Sequence, residues 1–396
     1  MATTDYDVIT VGGGLGGASV AKVLAEKGLR VLVTEREETF KDRIRGEYLF
    51  PWGVAEAQKL GLYELLMETC AHEQPFLIFG GIHRDCRTTT PQQLPAFTFF
   101  HATMQEVVLD AAHRAGAEVC RGVNVKQVRT GLKPAVSLES KGVTRDLTAR
   151  IVVCADGRSS MGRTWGGFEV NRGKQRMLGA GVMFEGISAA EDTALVTLSP
   201  GVQRIASIFP QGGGRARGYM IYGSHEVDRL QGMNDAGRFV DECVRSGIPA
   251  EFYKGAQPQG PLASFDMTET WVEHPYGDGL ALLGDAAGST DPTWGQGLSL
   301  TMRDARVLAE CLNGANDFDV AGHAYAKAHD AYFEAVVTTQ DWLFEMFFAL
   351  GPDADAKRAR ALPKIAADPT RIPDHHASGP DLPYDESVRR RFFGED

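Results

Sequence analysis

The stretch that most constrains this chain is "YDVITVGGGLGG", Tyr6 to Gly17. Its apolar start, Tyr6 to Val11, predicts a short buried strand, and the residues after it carry Val20, Val23 and Leu24 at helical spacing until Gly28. Between the two, Gly12, Gly14 and Gly17 stand as G-x-G-x-x-G. Glycine is needed there for the tight turn, for close approach of backbone to a pyrophosphate, and for close contact of helix with strand. The start of the helix then offers unpaired amides and a dipole to the phosphates. A second apolar run, "RVLVTE", closes at Glu35, 21 residues beyond Gly14, where an acid can accept both ribose hydroxyls. Together these features predict a dinucleotide-binding unit. FAD, NAD and NADP all share that frame.

With 396 residues the chain has room for two lobes, each with its own core. It has no apolar run near the ~20 residues that span a bilayer, so no membrane partner is expected. The start "MATTDYDVIT" has no basic segment followed by an apolar one, and a cytoplasmic protein is expected. A formal net charge of -11 argues against a nucleic-acid partner. The six cysteines are scattered without a Cys-x-x-Cys pair, and His323 and His329 fall on different faces of a helix, so no metal site is expected.

Further along, a helix is expected from Pro51 to Gly61, then a β-like passage from Phe76 to Phe100 and a helix over Thr103 to Ala115. Three short alternating stretches, "VNVKQV", "AVSLES" and "TRDLTA", read as an antiparallel meander before the buried strand in "RIVVCADG". Residues 176–272 hold more strands and suit a substrate-binding sheet. Helices are expected over Leu298 to Leu312 and from Phe318 to about Leu350. The remainder is rich in Pro, Asp and Gly; it includes His375 and His376, and "RRRF" at Arg389 to Phe392 reads as a solvated tail. The aromatic stretch "WLFEMFFAL" is expected to pack in a core.

Two later stretches carry a resemblance. "VVCADGRSSMGR" resembles the Asp-Gly motif of the flavoprotein aromatic hydroxylases, the single-component FAD-dependent monooxygenases, with Asp156, Gly157, Ser160 and Arg163 on the pattern. "LLGDAAGSTDPTWGQGLSL" resembles their Gly-Asp motif through Gly284, Asp285, Pro292, Gly295 and Gly297. With the glycine turn, the three motifs stand in family order over residues 5–315. The resemblance implies an α/β fold: a Rossmann-like FAD-binding domain (1–75, 100–165 and 275–315), an inserted mostly antiparallel β-sheet substrate domain (76–99 and 166–274), and a helical C-terminal part (316–396).

It also implies site residues. The Asp285 carboxylate would accept from the ribityl chain of FAD, and the helix after the glycines would point its amides at the flavin pyrimidine edge. "KDRIRGEYLFPWGVAEAQKLGL" resembles the stretch whose two arginines, here Arg43 and Arg45, sit near the pyrophosphate and the nicotinamide side. Gln105 stands where the family has a flavin-contacting glutamine, although His101 replaces a frequent arginine. Arg36 and Gln296 complete the expected FAD-binding set. Arg45 and Pro292 are flavin-side candidates for catalysis, and no base can be named. Pro210, Tyr222 and His225 are candidates for substrate contact from the middle sheet, whereas Phe209, a candidate beside them, reads as core.

The implied chemistry is reduction of FAD by NADPH or NADH, addition of O2 to form a flavin C4a-hydroperoxide, and oxygen transfer to an aromatic or polyketide-like small molecule. A homodimer and a separate flavin reductase stay open as partners. Epoxidation and isoprenoid double-bond reduction stay open as activities, because Gly288 replaces a frequent histidine and Trp294 sits inside the glycine turn. Halogenation is disfavoured: Ile44 and Arg45 occupy the neighbourhood of that family's catalytic lysine, and no tryptophan pair is separated by one residue. A flavin-binding protein without turnover is the remaining competitor.

Overall fold

The computed structural model describes residues 4–44, 46–174, 176–199, 202–225 and 228–396. Arg45, expected at the flavin, lies outside them. Among the described residues a six-stranded sheet runs in the order Tyr276–Gly277, Leu280–Leu282, Ile151–Cys154, Val8–Val11, Val31–Glu35 and Glu118–Arg121. Every neighbour pair is parallel except the Tyr276–Gly277 edge. Val8–Val11 and Ile151–Cys154 are buried at every residue, as strands covered on both faces must be. The helices Leu15–Glu26, His101–Arg114 and Gly297–Leu312 cover one face, and the meander of Asn124–Arg129, Ala135–Ser140 and Val143–Thr148 lies beside the other.

A second sheet of seven strands has the order Gln257–Asp266, Met177–Glu185, Arg215–Gly223, Arg204–Pro210, Thr193–Ser199, Phe76–Phe79 and Ile82–Asp85. It is antiparallel apart from the Thr193–Ser199 and Phe76–Phe79 pair. Strands from both stretches expected to bind substrate therefore share one sheet. One of its faces packs on Ala236–Arg245, and the other looks toward the flavin lobe. The α/β fold with an inserted antiparallel sheet and a helical C-terminal part is the fold observed.

The C-terminal part corrects one expectation. "RRRF" is not a solvated tail: it lies in the helix Glu386–Phe392, with Phe392 and Phe393 fully buried beside Phe347 and Phe348. Val388 and Phe392 are four apart and share the inward face, while Arg391 reaches Asp368 at 2.8 Å on the outside. The Pro/Asp-rich stretch before it is also structured, as the helix Pro352–Ala367 and the short turn of helix His375–Ser378. These elements return the chain end to the region between the two sheets. Among the described residues, no helix is long and apolar enough to cross a membrane.

Candidate flavin and substrate site

The glycine turn is built as tightly as its residues demand. Gly12 has φ +102°, and a Cβ there would lie 2.4 Å from the Ala155 carbonyl oxygen. Gly14 precedes the helix Leu15–Glu26 in extended backbone with no capping side chain among the described residues, so the first amides are left for a ligand. Buried Glu35 accepts from the Gly13 amide at 2.8 Å through Oε2 and from the Glu37 amide at 2.8 Å through Oε1. It therefore braces the turn as well as lining the cavity. Arg36 and Arg43, both exposed, pair with Glu37 at the cavity rim. The Gln105 amide nitrogen lies 3.0 Å from where a Cβ on Gly14 would sit, which puts it over the cradle.

The Asp-Gly and Gly-Asp motifs are physically tied together. Arg163, buried, donates from Nε to the Ala286 carbonyl at 2.7 Å and from Nη2 to the Asp285 carbonyl at 2.8 Å. Burial lowers its pKa from the usual arginine value. Asp156 accepts the Met161 amide at 2.7 Å and the Gly162 amide at 3.2 Å through Oδ2. Its Oδ1 is buried at the cavity with no hydrogen-bond partner among the described residues. Gly157 has φ +79°, the left-handed conformation that glycine takes without strain.

Asp304 holds the Gly-Asp turn from behind. It is 1% exposed, and its Oδ2 accepts the Gly284 amide at 2.8 Å. Its Oδ1 accepts the Tyr332 hydroxyl and lies 3.1 Å from His329 Nδ1. The sequence carried a signal for it: Leu300, Asp304, Leu308 and Leu312 are spaced by four, so an acid interrupts the buried stripe of a helix. Asp304→Asn puts an amide donor against one of these donors. It should cost about 1–3 kcal/mol and lower flavin occupancy, read as melting temperature and the flavin-to-protein absorbance ratio; an unchanged ratio would separate Asp304 from cofactor binding.

These motifs open into one cavity of about 830 Å³. At one end are Gly12, Gly14, Glu35 and Asp156; in the middle are Gly284, Asp285, exposed Pro292, Gly295 and Gly297; beyond them the second sheet forms a wall. Asp285 Oδ1 lies 3.8 Å from where a Cβ on Gly297 would sit, beside the start of the helix Gly297–Leu312. Gly295 is left-handed, φ +66°, and a Cβ there would lie 2.9 Å from the Phe50 ring. Gly17 and Gln296, two of the expected cofactor residues, are not at the cavity. Gly17 packs its bare Cα on the Gly12 carbonyl, and Gln296, 1% exposed, donates to the Trp294 and His376 carbonyls at 2.6 and 3.0 Å. Both brace the walls.

The expected substrate contacts also change. Tyr222 points to the far face of its strand, where its hydroxyl lies 2.9 Å from Ser264 Oγ and accepts the Leu230 amide at 3.3 Å. His225 is exposed beyond the strand end and does not line the cavity. Side chains alternate along a strand, so it is Tyr219 and Ile221 that face the cavity. Phe209, expected to be core, lines the cavity and stacks on Tyr48 with centroids 4.9 Å apart. Tyr48, Phe50, Phe79 and His376 belong to the same wall and were not read from the sequence. Gly288 has a plain packing reason: a Cβ would lie 2.4 Å from the Phe333 ring of the long helix Phe318–Phe347.

Two helix starts without side-chain caps, a buried carboxylate oxygen left unpartnered, and acids at one end and in the middle of the cavity fit a ligand with a pyrophosphate and a hydroxylated chain. FAD is such a group, and Gly12, Gly14, Glu35, Gln105, Asp156 and Asp285 would hold it. Among the described residues no His, Cys, Asp and Glu group could hold a metal. The family model of the FAD binding domain matches residues 5–336. Over 345 residues the chain is 27% identical to digeranylgeranylglycerophospholipid reductase 2 of Methanopyrus kandleri, covering 83% of this chain and 82% of that one. It is 29% identical over 370 residues to rifampicin monooxygenase of Streptomyces venezuelae, 88% of this chain and 73% of that one. It is 26% identical over 408 residues to 6-methylpretetramide 4-monooxygenase of Streptomyces rimosus, 92% and 89%. The structure of flavin-dependent brominase Bmp2 superposes with a TM-score of 0.76 at 18% identity, over 98% of each chain. The chain belongs to the FAD binding domain family, among the flavoproteins of the aromatic hydroxylase type, and FAD is its cofactor.

Proposed function

We propose that this protein is a monooxygenase that uses NADPH or NADH and O2 to hydroxylate an aromatic or polyketide-like small molecule. The observation that carries the reading is the aromatic compartment of Tyr48, Phe50, Phe79, Phe209, Tyr219 and Trp294, continuous with the flavin cradle. One oxygen atom enters the ring and the other leaves as water, with two electrons from the nicotinamide and one proton from solvent balancing the reaction. FAD, when bound, supplies the transfer of those electrons to oxygen, which side chains cannot provide. The chain's own part is to bind, aim and keep dry. Amides at the start of Gly297–Leu312 favour negative charge on the flavin side of the cavity, and the apolar wall excludes water that would compete for the activated oxygen.

A second reading has specific support. The reductase relative named above carries digeranylgeranylglycerophospholipid in its name, and an apolar cavity would also take an isoprenoid chain. Oxygen separates the two. Purified protein with FAD is mixed with NADPH or NADH, with and without air, across a panel of phenolic, quinone-like and isoprenoid ligands. Ligand-stimulated O2 uptake with an oxygenated product is the expected result. Turnover without O2 that consumes a double bond would replace this reading by reduction. The brominase likeness carries the fold alone.

A further inference from the structure

Ser207 stands near the centre of the sheet that walls the cavity. It lies in the strand Arg204–Pro210, opposite Val196 on one neighbouring strand and Tyr219 on the other. Side chains alternate along this strand: Ile205, Ser207 and Phe209 line the cavity, whereas Ala206 and Ile208 join the core on the far face. Ser207 is 4% exposed, so it is held in the wall and aimed at the cavity. Its hydroxyl has no hydrogen-bond partner among the described residues, and unlike the Tyr48 and Thr293 hydroxyls it is not closed off from the cavity by its neighbours. The same wall carries no charge. Among the described residues of this sheet that line the cavity, only Ser207 and Tyr219 are polar and none is ionic. Arg217, two residues before Tyr219, is fully buried and engaged by Glu47 at 2.8 Å and Asp42 at 3.0 Å. His376, also in the wall, is uncharged near pH 7 because burial lowers its imidazole pKa to about 4.

We propose that the Ser207 hydroxyl hydrogen-bonds a neutral oxygen of the ligand, a ring hydroxyl or carbonyl, and that this wall selects uncharged oxygenated rings over hydrocarbons and over carboxylated rings. A serine hydroxyl donates to a carbonyl or accepts from a phenol, so it serves either oxygen. A ligand that fills the cavity strips water from this hydroxyl, and a hydrocarbon leaves it unpaired in an apolar wall, whereas an oxygenated ring replaces the lost partner. A carboxylate brought to the same place loses its hydration and finds one hydroxyl and no cation in return. Burying an unmatched charge costs far more than one hydrogen bond restores. The specificity of the wall therefore comes from one polar point on an otherwise apolar surface.

The inference rests on the reading above for the aromatic class of ligand, and binding without turnover tests it separately. FAD-loaded, oxidised protein is titrated near pH 7 with 1-naphthol, 1-methylnaphthalene and 1-naphthoate, reading the change in the flavin visible band. Wild type should bind the naphthol about tenfold more tightly than the hydrocarbon of the same shape, the scale of one buried hydrogen bond, and the naphthoate ~100-fold more weakly than the naphthol. Ser207→Ala should bind naphthol and methylnaphthalene alike; Ser207→Cys, close in size with a weak donor, gives the same reading if the alanine variant does not hold FAD. Ser207→Thr keeps the hydroxyl on a residue that suits a strand and should keep the preference. A preference retained by the alanine or cysteine variant, a wild type without preference or without binding, or a naphthoate bound as tightly as the naphthol would overturn the proposal. A preference carried by Ser207 with no oxygen uptake for any ligand would leave the proposal standing and sink the monooxygenase reading. Oxygen uptake on neutral rings with the naphthol preference intact in Ser207→Ala would do the reverse.

Discussion

Gly17→Ala is expected to yield protein without flavin. A Cβ at Gly17 would lie 1.9 Å from the Gly12 carbonyl oxygen and 3.3 Å from Ala155 Cβ. The first contact is with backbone, so no rotamer relieves it. The helix Leu15–Glu26 must withdraw from the turn, and with it go the amides that face the pyrophosphate. Losing two charge-assisted hydrogen bonds at about 1.5–3 kcal/mol each weakens FAD by roughly 10² to 10⁴. Gly28→Ala is the control: its φ is +84°, but a Cβ there meets nothing within 4 Å, so it should cost about 1 kcal/mol and leave the protein yellow. The absorbance ratio at 450 and 280 nm of the purified variants, with melting curves with and without added FAD, measures both. A fully occupied Gly17→Ala protein would mean that the helix and strand do not need this approach.

That clash shows why the cofactor half of the site was legible in the sequence. Tight backbone geometry admits only glycine, so the position of Gly12, Gly14 and Gly17 is itself the signal, Glu35 follows at a distance set by one strand-helix-strand unit, and Asp285 was legible through the resemblance of its stretch to the Gly-Asp motif. The substrate half has no such signal. "GYMIYG" is apolar on both faces because its strand is buried on both, so nothing in the letters says whether Tyr219 or Tyr222 meets the ligand. Register against Met177–Glu185 and Arg204–Pro210 decides it, and that is a long-range property. His376 was further out of reach. It stands 80 residues beyond Gln296, in a polar stretch, and enters the wall only because Phe392, Phe393 and the Arg84–Asp374 pair fold the chain end back.

A contact that joins the two lobes was invisible for the same reason, and its removal should produce a large loss of stability. Arg217, in the middle of the substrate sheet, is fully buried. It reaches Glu47, 1% exposed, from Nε at 2.8 Å and from Nη2 at 3.0 Å, and Asp42 from Nη2 at 3.0 Å. Burial opposes its charge, yet the Glu47 hydrogen bonds and charge outweigh that and raise the guanidinium pKa above its ordinary value. Glu47 also accepts from Gln211 at 2.6 Å and from the His101 amide at 3.0 Å, so the segment between strand and flavin lobe hangs on one cluster. Lys41, Arg43 and Ile44 of that segment line the cavity.

Arg217→Met keeps the apolar stem and leaves Glu47 buried without its cation, which costs about 3–5 kcal/mol. At about 2.1 cal/mol/K of unfolding entropy per residue over 396 residues, the melting temperature should fall by roughly 4–6 °C. Adding Glu47→Gln removes the stranded charge while keeping acceptors for Gln211 and the His101 amide. The double variant should therefore be more stable than Arg217→Met alone, with a coupling of about 1–3 kcal/mol. Thermal or urea unfolding of the wild type, both single variants and the double variant measures the cycle. If Arg217→Met melts with the wild type, or if the two changes simply add, the cluster contributes packing and the charges do not hold the lobes together.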